Sequence, residues 1–217
     1  MEKQVKIRSG NSVMHGTLYT PSDRARPAPG IVLCHGFAGQ TAPAIASALS
    51  EVGYVALVFF FRGYGPNRGE ITDVSPAGQV ADLFAATSFL AAQEEVDESR
   101  LGVIGSSLGG SMALLGAAAD ERLKVCVAAC PISVGERDLH VGAGSEERWR
   151  EMRLNAESAR STDKPVARYD IVPIPEELRK YLPPTTPMQF TADTFFALRD
   201  MNVETQVGRI RPRPILL

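Results

Sequence analysis

Residues 101–116 read Leu-Gly-Val-Ile-Gly-Ser-Ser-Leu-Gly-Gly-Ser-Met-Ala-Leu-Leu-Gly, and the fold turns on how this stretch is taken. Leu101, Val103 and Ile104 put apolar side chains on both faces of a short strand, as expected at the centre of a parallel sheet. Gly105-Ser106-Ser107-Leu108-Gly109 then fits Gly-x-Ser-x-Gly, a sharp strand-to-helix elbow with Ser107 at its tip. Glycines at its flanks let such a turn press against neighbouring backbone. Ser107 would stand beside a helix N-terminus, where free N–H groups and the dipole favour negative charge. Taken alone, the pattern also fits a glycine-rich turn with no chemistry.

Upstream, the pattern alternates between strand and helix. Val5–Ile7 and Val13–Tyr19 read as a hairpin around Ser9-Gly10-Asn11, and Pro21–Pro29 as a turn-rich connector. Gly30–Cys34 is a continuous apolar strand that ends in His35-Gly36-Phe37-Ala38-Gly39. A helix is expected from Ala42 to Val52, with Gly53 as its stop. Tyr54–Phe61 is a second apolar strand, ending in the loop Arg62-Gly63-Tyr64-Gly65-Pro66. Ser75 and Pro76 form an N-cap and N1 pair that opens a helix through Ala92. Beyond the elbow, a helix to Ala119 and a buried strand Val125–Ala129 complete the series. The order predicts an α/β fold: a mainly parallel central sheet with helices on both faces. Ligands of such sheets bind outside the carboxyl ends of the strands. His35–Phe37, Arg62–Gly65 and Ser107 all fall at those ends.

Past Pro131 the strand signals stop and charge and proline increase. Residues 133–187 are expected to form a helical cap inserted into a core made of residues 1–132 and 188–217. Within the cap, Ser145–Ser158 reads as a helix with Trp149, Met152 and Ala156 on its inner side. Thr191–Met201 reads as a further helix, and Ile215–Leu217 as the start of a strand.

With 217 residues, 44% hydrophobic and a net charge of −2, the chain is long enough for a sizeable core. Its charge gives no reason to expect nucleic acid or a membrane surface as partner. The N-terminus lacks the apolar stretch of a signal peptide. Cys34, Cys126 and Cys130 all lie in or beside apolar runs and are expected to be buried free thiols in a reducing, cytoplasmic setting. No Cys or His cluster has metal-ligand spacing, and no metal or cofactor is expected. The oligomeric state is open.

Together, His35-Gly36-Phe37, Arg62-Gly63-Tyr64-Gly65 and Gly105–Gly109 resemble the α/β-hydrolase superfamily, nearest its esterase and serine-peptidase-like branches. The resemblance implies that Ser107 attacks an acyl carbonyl. It also implies that the N–H groups of Phe37 and Leu108 hold the oxyanion, with His35, Gly36, Gly105 and Gly109 shaping the two loops. Phe61 stands where the family usually carries an acid before its Arg-Gly loop. The family's catalytic acid would follow a strand beginning near Pro214, and its histidine the strand after that. Neither falls within these 217 residues, so the expectation is a member cut short at its C-terminus, lacking the final strand and helices. The histidines present are His15, His35 and His140. Asp138 and His140 could substitute only if the inserted segment folded over the elbow.

The function implied is a serine hydrolase of small-molecule carboxylic esters, working through an acyl-enzyme at Ser107 and impaired in this form. The alternatives are a non-catalytic binding protein on the same scaffold and a peptide or amide hydrolase.

Overall fold

The computed structural model describes residues 1–22, 27–67, 70–172, 174–183 and 186–217. Residues 23–26 of the Pro21–Pro29 connector, and residues 173, 184 and 185 of the expected cap, lie outside them. In chain order the first elements are strands β1 (Glu2–Ser9), β2 (Ser12–Tyr19) and β3 (Ala28–Cys34), helix α1 (Pro43–Glu51) and strand β4 (Val55–Phe59). Helix α2 (Pro76–Ala91), strand β5 (Val96–Ser106), helix α3 (Leu108–Ala119) and strand β6 (Leu123–Ala129) follow. The later part holds α4 (Gly135–Ala143), α5 (Glu146–Ser161), β7 (Val166–Ala167), α6 (Glu176–Arg179), β8 (Gln189–Phe190), α7 (Ala192–Arg199), α8 (Glu204–Val207) and β9 (Ile215–Leu216).

The main sheet runs β1-β2-β4-β3-β5-β6-β9. The hairpin β1–β2 and the β2–β4 pair are antiparallel, while β4, β3, β5, β6 and β9 run parallel. Alternate residues of the central strands feed opposite faces, as the two-residue period requires. Ile31, Leu33, Ala56 and Val58 pack with Ala46 and Leu49 of α1 on one face. Val32, Leu57, Val103 and Cys126 belong to the larger core on the other face, with Leu83 of α2 and Met112 of α3. The expected sheet with helices on both faces is therefore the observed one.

Local signals set the boundaries. Ser75 caps α2, its Oγ accepting the Gly78 N–H at 3.0 Å, with proline in the first turn. The strand before the elbow starts five residues earlier than its apolar pattern suggests, because Ala28 and Pro29 pair with Val96 and Asp97 through polar sequence. Cys34 and Cys126 are buried free thiols, but Cys130 is exposed. That corrects the expectation for Cys130. The strand ends at Ala129, and Cys130 adopts φ 49°, which turns the chain out of the sheet.

After β6 the chain places the 16-residue helix α5 among several shorter elements. Trp149, Met152 and Ala156 of α5 are buried, as their spacing predicts, and Trp149 lies 5.9 Å from the Phe195 ring of α7. β7 and β8 pair with each other in a separate two-stranded sheet, so the boundary expected at residues 187/188 runs just ahead of one strand of that pair. Phe190 of β8 also bridges to Thr72. Among the described residues no helix is long and apolar enough to cross a membrane.

Candidate active site

Ser107 lies where β5 passes directly into α3. It holds φ 52° and ψ −126°, a sparsely populated conformation that costs about 1–3 kcal/mol for a residue with a side chain. Its surroundings enforce it. The Ser107 N–H donates to the Ala129 carbonyl at 2.9 Å, and its own carbonyl accepts from the N–H groups of Gly110 (2.9 Å) and Ser111 (3.2 Å). Ser107 is exposed at the tip, while Leu108 beneath it is buried. The Ser111 hydroxyl donates to the Ile132 carbonyl at 2.7 Å and ties α3 to the segment after β6.

The small residues of the elbow are required by close approach. A Cβ on Gly105 would meet the backbone of Gly109 and Gly110, and one on Gly109 the carbonyls of Cys34 and His35. The elbow is thus pressed against the end of β3, where His35-Gly36-Phe37 begins. A Cβ on Gly36 would stand 3.3 Å from the Ser107 Cβ and 3.8 Å from its Oγ. Gly36 therefore forms the wall facing Ser107.

His35 fixes that wall. Its ring is buried, its Nε2 accepts the Phe61 N–H at 3.1 Å, and its Nδ1 lies 2.8 Å from the Gly36 carbonyl. An acceptor role for Nε2 makes Nδ1 the protonated nitrogen. Burial pulls the imidazole pKa down from 6.5 to about 4, against the opposing effect of the Gly36 hydrogen bond. His35 is therefore a neutral brace at pH 7, with both nitrogens committed. Phe61, in the place of the family's usual acid, contributes its backbone N–H and packs its ring edge-on against His35 at 5.0 Å.

The Gly36 carbonyl also accepts the Gly39 N–H at 2.9 Å, closing a turn. In a trans peptide the N–H points opposite the carbonyl, so the Phe37 N–H is turned away from these partners. Among the described residues it has no hydrogen-bond partner. Leu108, the first residue of α3, has no intrahelical carbonyl for its own N–H. The Phe37 side chain is buried and stacks on Phe190 at 4.7 Å.

The Arg62 loop is an anchor. Arg62 grips the fully buried Asp82 of α2 through Nη2 (2.6 Å to Oδ1) and Nε, and its N–H donates to Oδ2 at 2.9 Å. Asp138 and His140 do not form a pair. Asp138 accepts the N–H groups of Ser133 (2.6 Å) and Val134 (3.2 Å) and holds the start of α4. Burial works to raise its pKa, but those hydrogen bonds and Arg137 keep it below the usual carboxylate value. His140 pairs with Glu146 at 2.9 Å and stacks on Trp149 at 5.4 Å. His15 lies on β2, opposite Lys6. His35 and His140 thus have their side chains engaged with partners other than the Ser107 hydroxyl.

Three residues of this neighbourhood carry no signal in the sequence: Arg168, Thr186 and Phe190. Arg168 donates from Nη1 to the Phe37 carbonyl at 2.9 Å, and the Thr186 hydroxyl donates to the Ala38 carbonyl at 3.0 Å. Among the described residues no group of three or more His, Cys, Asp or Glu is arranged to hold a metal ion.

A mainly parallel sheet of this order, with a strained serine at the β5–α3 elbow, defines an α/β-hydrolase fold. Within that class the chain belongs to the dienelactone hydrolase family, which it matches over residues 14–141. It is 36% identical over 111 residues to an uncharacterized 31.7 kDa protein of the traX-finO intergenic region of Escherichia coli, a stretch covering 50% of this chain and 39% of that protein. It is 32% identical over 137 residues to the quorum-quenching protein AidA of Acinetobacter baumannii, covering 60% of this chain and 44% of AidA. The matched stretches thus span less than half the length of these curated relatives. The crystal structure of hypothetical protein PA2218 from Pseudomonas aeruginosa superposes with a TM-score of 0.79 at 23% identity, covering 99% of this chain and 76% of that one.

Proposed function

We propose that this chain carries the nucleophile and oxyanion site of a serine hydrolase acting on small-molecule carboxylic esters. Ser107 Oγ would attack the acyl carbon, and the N–H groups of Phe37 and Leu108 would receive the developing oxyanion. Preformed donors aimed at developing charge are usually the largest catalytic contribution. One observation carries the reading: a strained, exposed Ser107 at a helix N-terminus faces Gly36, directly before an N–H that has no partner among the described residues. The family's description supports ester chemistry, since a lactone is a cyclic carboxylic ester.

A serine hydroxyl is a poor nucleophile until its proton is taken, and the side chains of His35 and His140 are engaged elsewhere. Enzymes of this type that lose a triad member keep about 10³–10⁴ over water through the oxyanion site and binding. Turnover by these 217 residues is therefore expected well below about 1 s⁻¹. The same observation favours a second reading, a binding protein that uses the elbow without chemistry.

The two readings separate with p-nitrophenyl acetate and a fluorophosphonate probe. Slow ester cleavage and a mass adduct on Ser107, both lost in Ser107→Ala and both kept in His140→Ala, support the hydrolase. Absence of both in the wild-type protein supports the binder. Cleavage of a peptide substrate without ester cleavage points to amide chemistry. A kcat of about 1 s⁻¹ or more that disappears in His140→Ala overturns the assignment of His140 to a structural place.

A further inference from the structure

Arg168 is a buried arginine in the charge-rich segment after β6. It opens a 3-10 turn, Arg168–Asp170, directly after β7, and is only 3% exposed. Among the described residues it has no carboxylate partner; its neighbour Asp170 is taken by Arg148 at 2.9 Å. Its Nε is buried without a hydrogen-bond partner, as is the hydroxyl of Tyr64. A buried guanidinium with no counter-ion is costly, so its place asks for a reason.

The reason lies in what it holds. Nη1 donates to the Phe37 carbonyl at 2.9 Å, and the guanidinium carbon lies 4.5 Å from the centre of the Phe37 ring. The other face of the problem is closed by β8: the Arg168 N–H donates to the Met188 carbonyl at 2.9 Å, and Phe190, two residues on, stacks on Phe37. The Gly36 and Ala38 carbonyls are held by His35 and Thr186. Three consecutive carbonyls of this loop are thus tied by side chains, two of them from the segment after β6.

We propose that Arg168 is a positioning residue for the oxyanion loop: it fixes the Phe37 backbone and ring together, so that the Phe37 N–H stays aimed beside Ser107. This rests on the reading of Ser107 given above. A guanidinium is suited to the task because it donates and stacks in one rigid plane, which an ammonium does not.

The test is the kinetics of covalent labelling of Ser107 by a fluorophosphonate, whose phosphoryl oxygen occupies the oxyanion position. In Arg168→Met we expect the inactivation rate constant kinact to fall at least tenfold with KI within twofold of wild type. Arg168→Lys should recover part of the loss. Arg148→Met removes the ion pair to Asp170 from the same turn without touching Phe37, and should label at the wild-type rate. Wild-type kinact in Arg168→Met overturns the inference while leaving Ser107 as nucleophile. A loss that appears in KI, or equally in Arg148→Met, also overturns it, because it reports loosening of the segment. If Arg168→Met does not fold, Arg168→Lys decides: kinact at least threefold below wild type supports the inference, and wild-type kinact overturns it. No adduct on Ser107 in any protein, wild type included, overturns the nucleophile reading and this inference with it.

Discussion

The two walls that meet at Ser107 are built by opposite means. The elbow, residues 105–109, is held by backbone and by the absence of side chains: Gly105 and Gly109 lie against neighbouring backbone, and among the described residues Ser107 bonds only through its main chain, to Ala129, Gly110 and Ser111. The facing loop, residues 35–39, is held by side chains: His35 from within, Arg168 and Thr186 from far along the sequence, and Phe190 across a ring stack. A wall made by close backbone approach has few ways to move. A wall held by side chains can be tuned, and lost, by substitutions far from it in sequence.

Substitutions should separate the two walls cleanly. Phe190 is fully buried against Phe37. Phe190→Ala should cost about 4 kcal/mol and lower Tm by roughly 8–16 °C, with the loss of Ser107 labelling exceeding that of any elbow-neutral core variant. Calorimetry together with fluorophosphonate labelling checks this. On the other wall, Gly109→Ala forces a methyl into the Cys34 and His35 carbonyls. The expected destabilisation is about 3 kcal/mol, read as a urea midpoint shift. A Gly109→Ala protein of wild-type stability would break the picture of a rigid elbow.

The next effect is a pH dependence confined to the loop. His35 binds its proton more weakly in the folded chain (pKa about 4) than unfolded (6.5), because burial disfavours the charged ring. Between those values the unfolded state holds the extra proton, so stability is lost as pH falls from 6.5 towards 4. The loss is up to about 3 kcal/mol, and the contribution is flat above that window. His35→Gln, which keeps a donor and an acceptor without titrating there, should flatten the difference between urea midpoints at pH 7.5 and 4.5. An unchanged difference would mean that another group carries it. The smallest effect belongs to the elbow's strain. Ser107→Gly should stabilise the fold by about 1 kcal/mol while abolishing labelling; destabilisation would place the strain elsewhere.

The same contrast explains what the sequence revealed. The sheet was legible because Ile31–Cys34, Val55–Phe59 and Val103–Ile104 are apolar runs bounded by glycine turns, and the elbow because close approach leaves a local signature of small residues. The ends of elements were less legible: β5 begins at Val96 through the polar residues 97–100, where pairing with β3 overrides pattern. Cys130 looked buried because it follows an apolar run, yet a positive φ turns it outward. Helix α4 is short and mixed in composition, and β7 and β8 are two residues each, too brief for any periodicity. Arg168 could not be found, since one arginine in a charged segment looks like every other until its partner, a backbone carbonyl, is known.

The ties from Arg168 and Thr186 to the loop span 131 and 148 residues. Closing so long a span costs chain entropy that local contacts do not, and pairings of this kind form late. A ribosome releases the chain N-terminus first. The elbow and its strands can come together while the later segment is still being made, but the loop opposite Ser107 stays without two of its side-chain ties until residue 186 has emerged. The nascent chain therefore passes through a stage in which the serine is in place and the loop that faces it is not yet held.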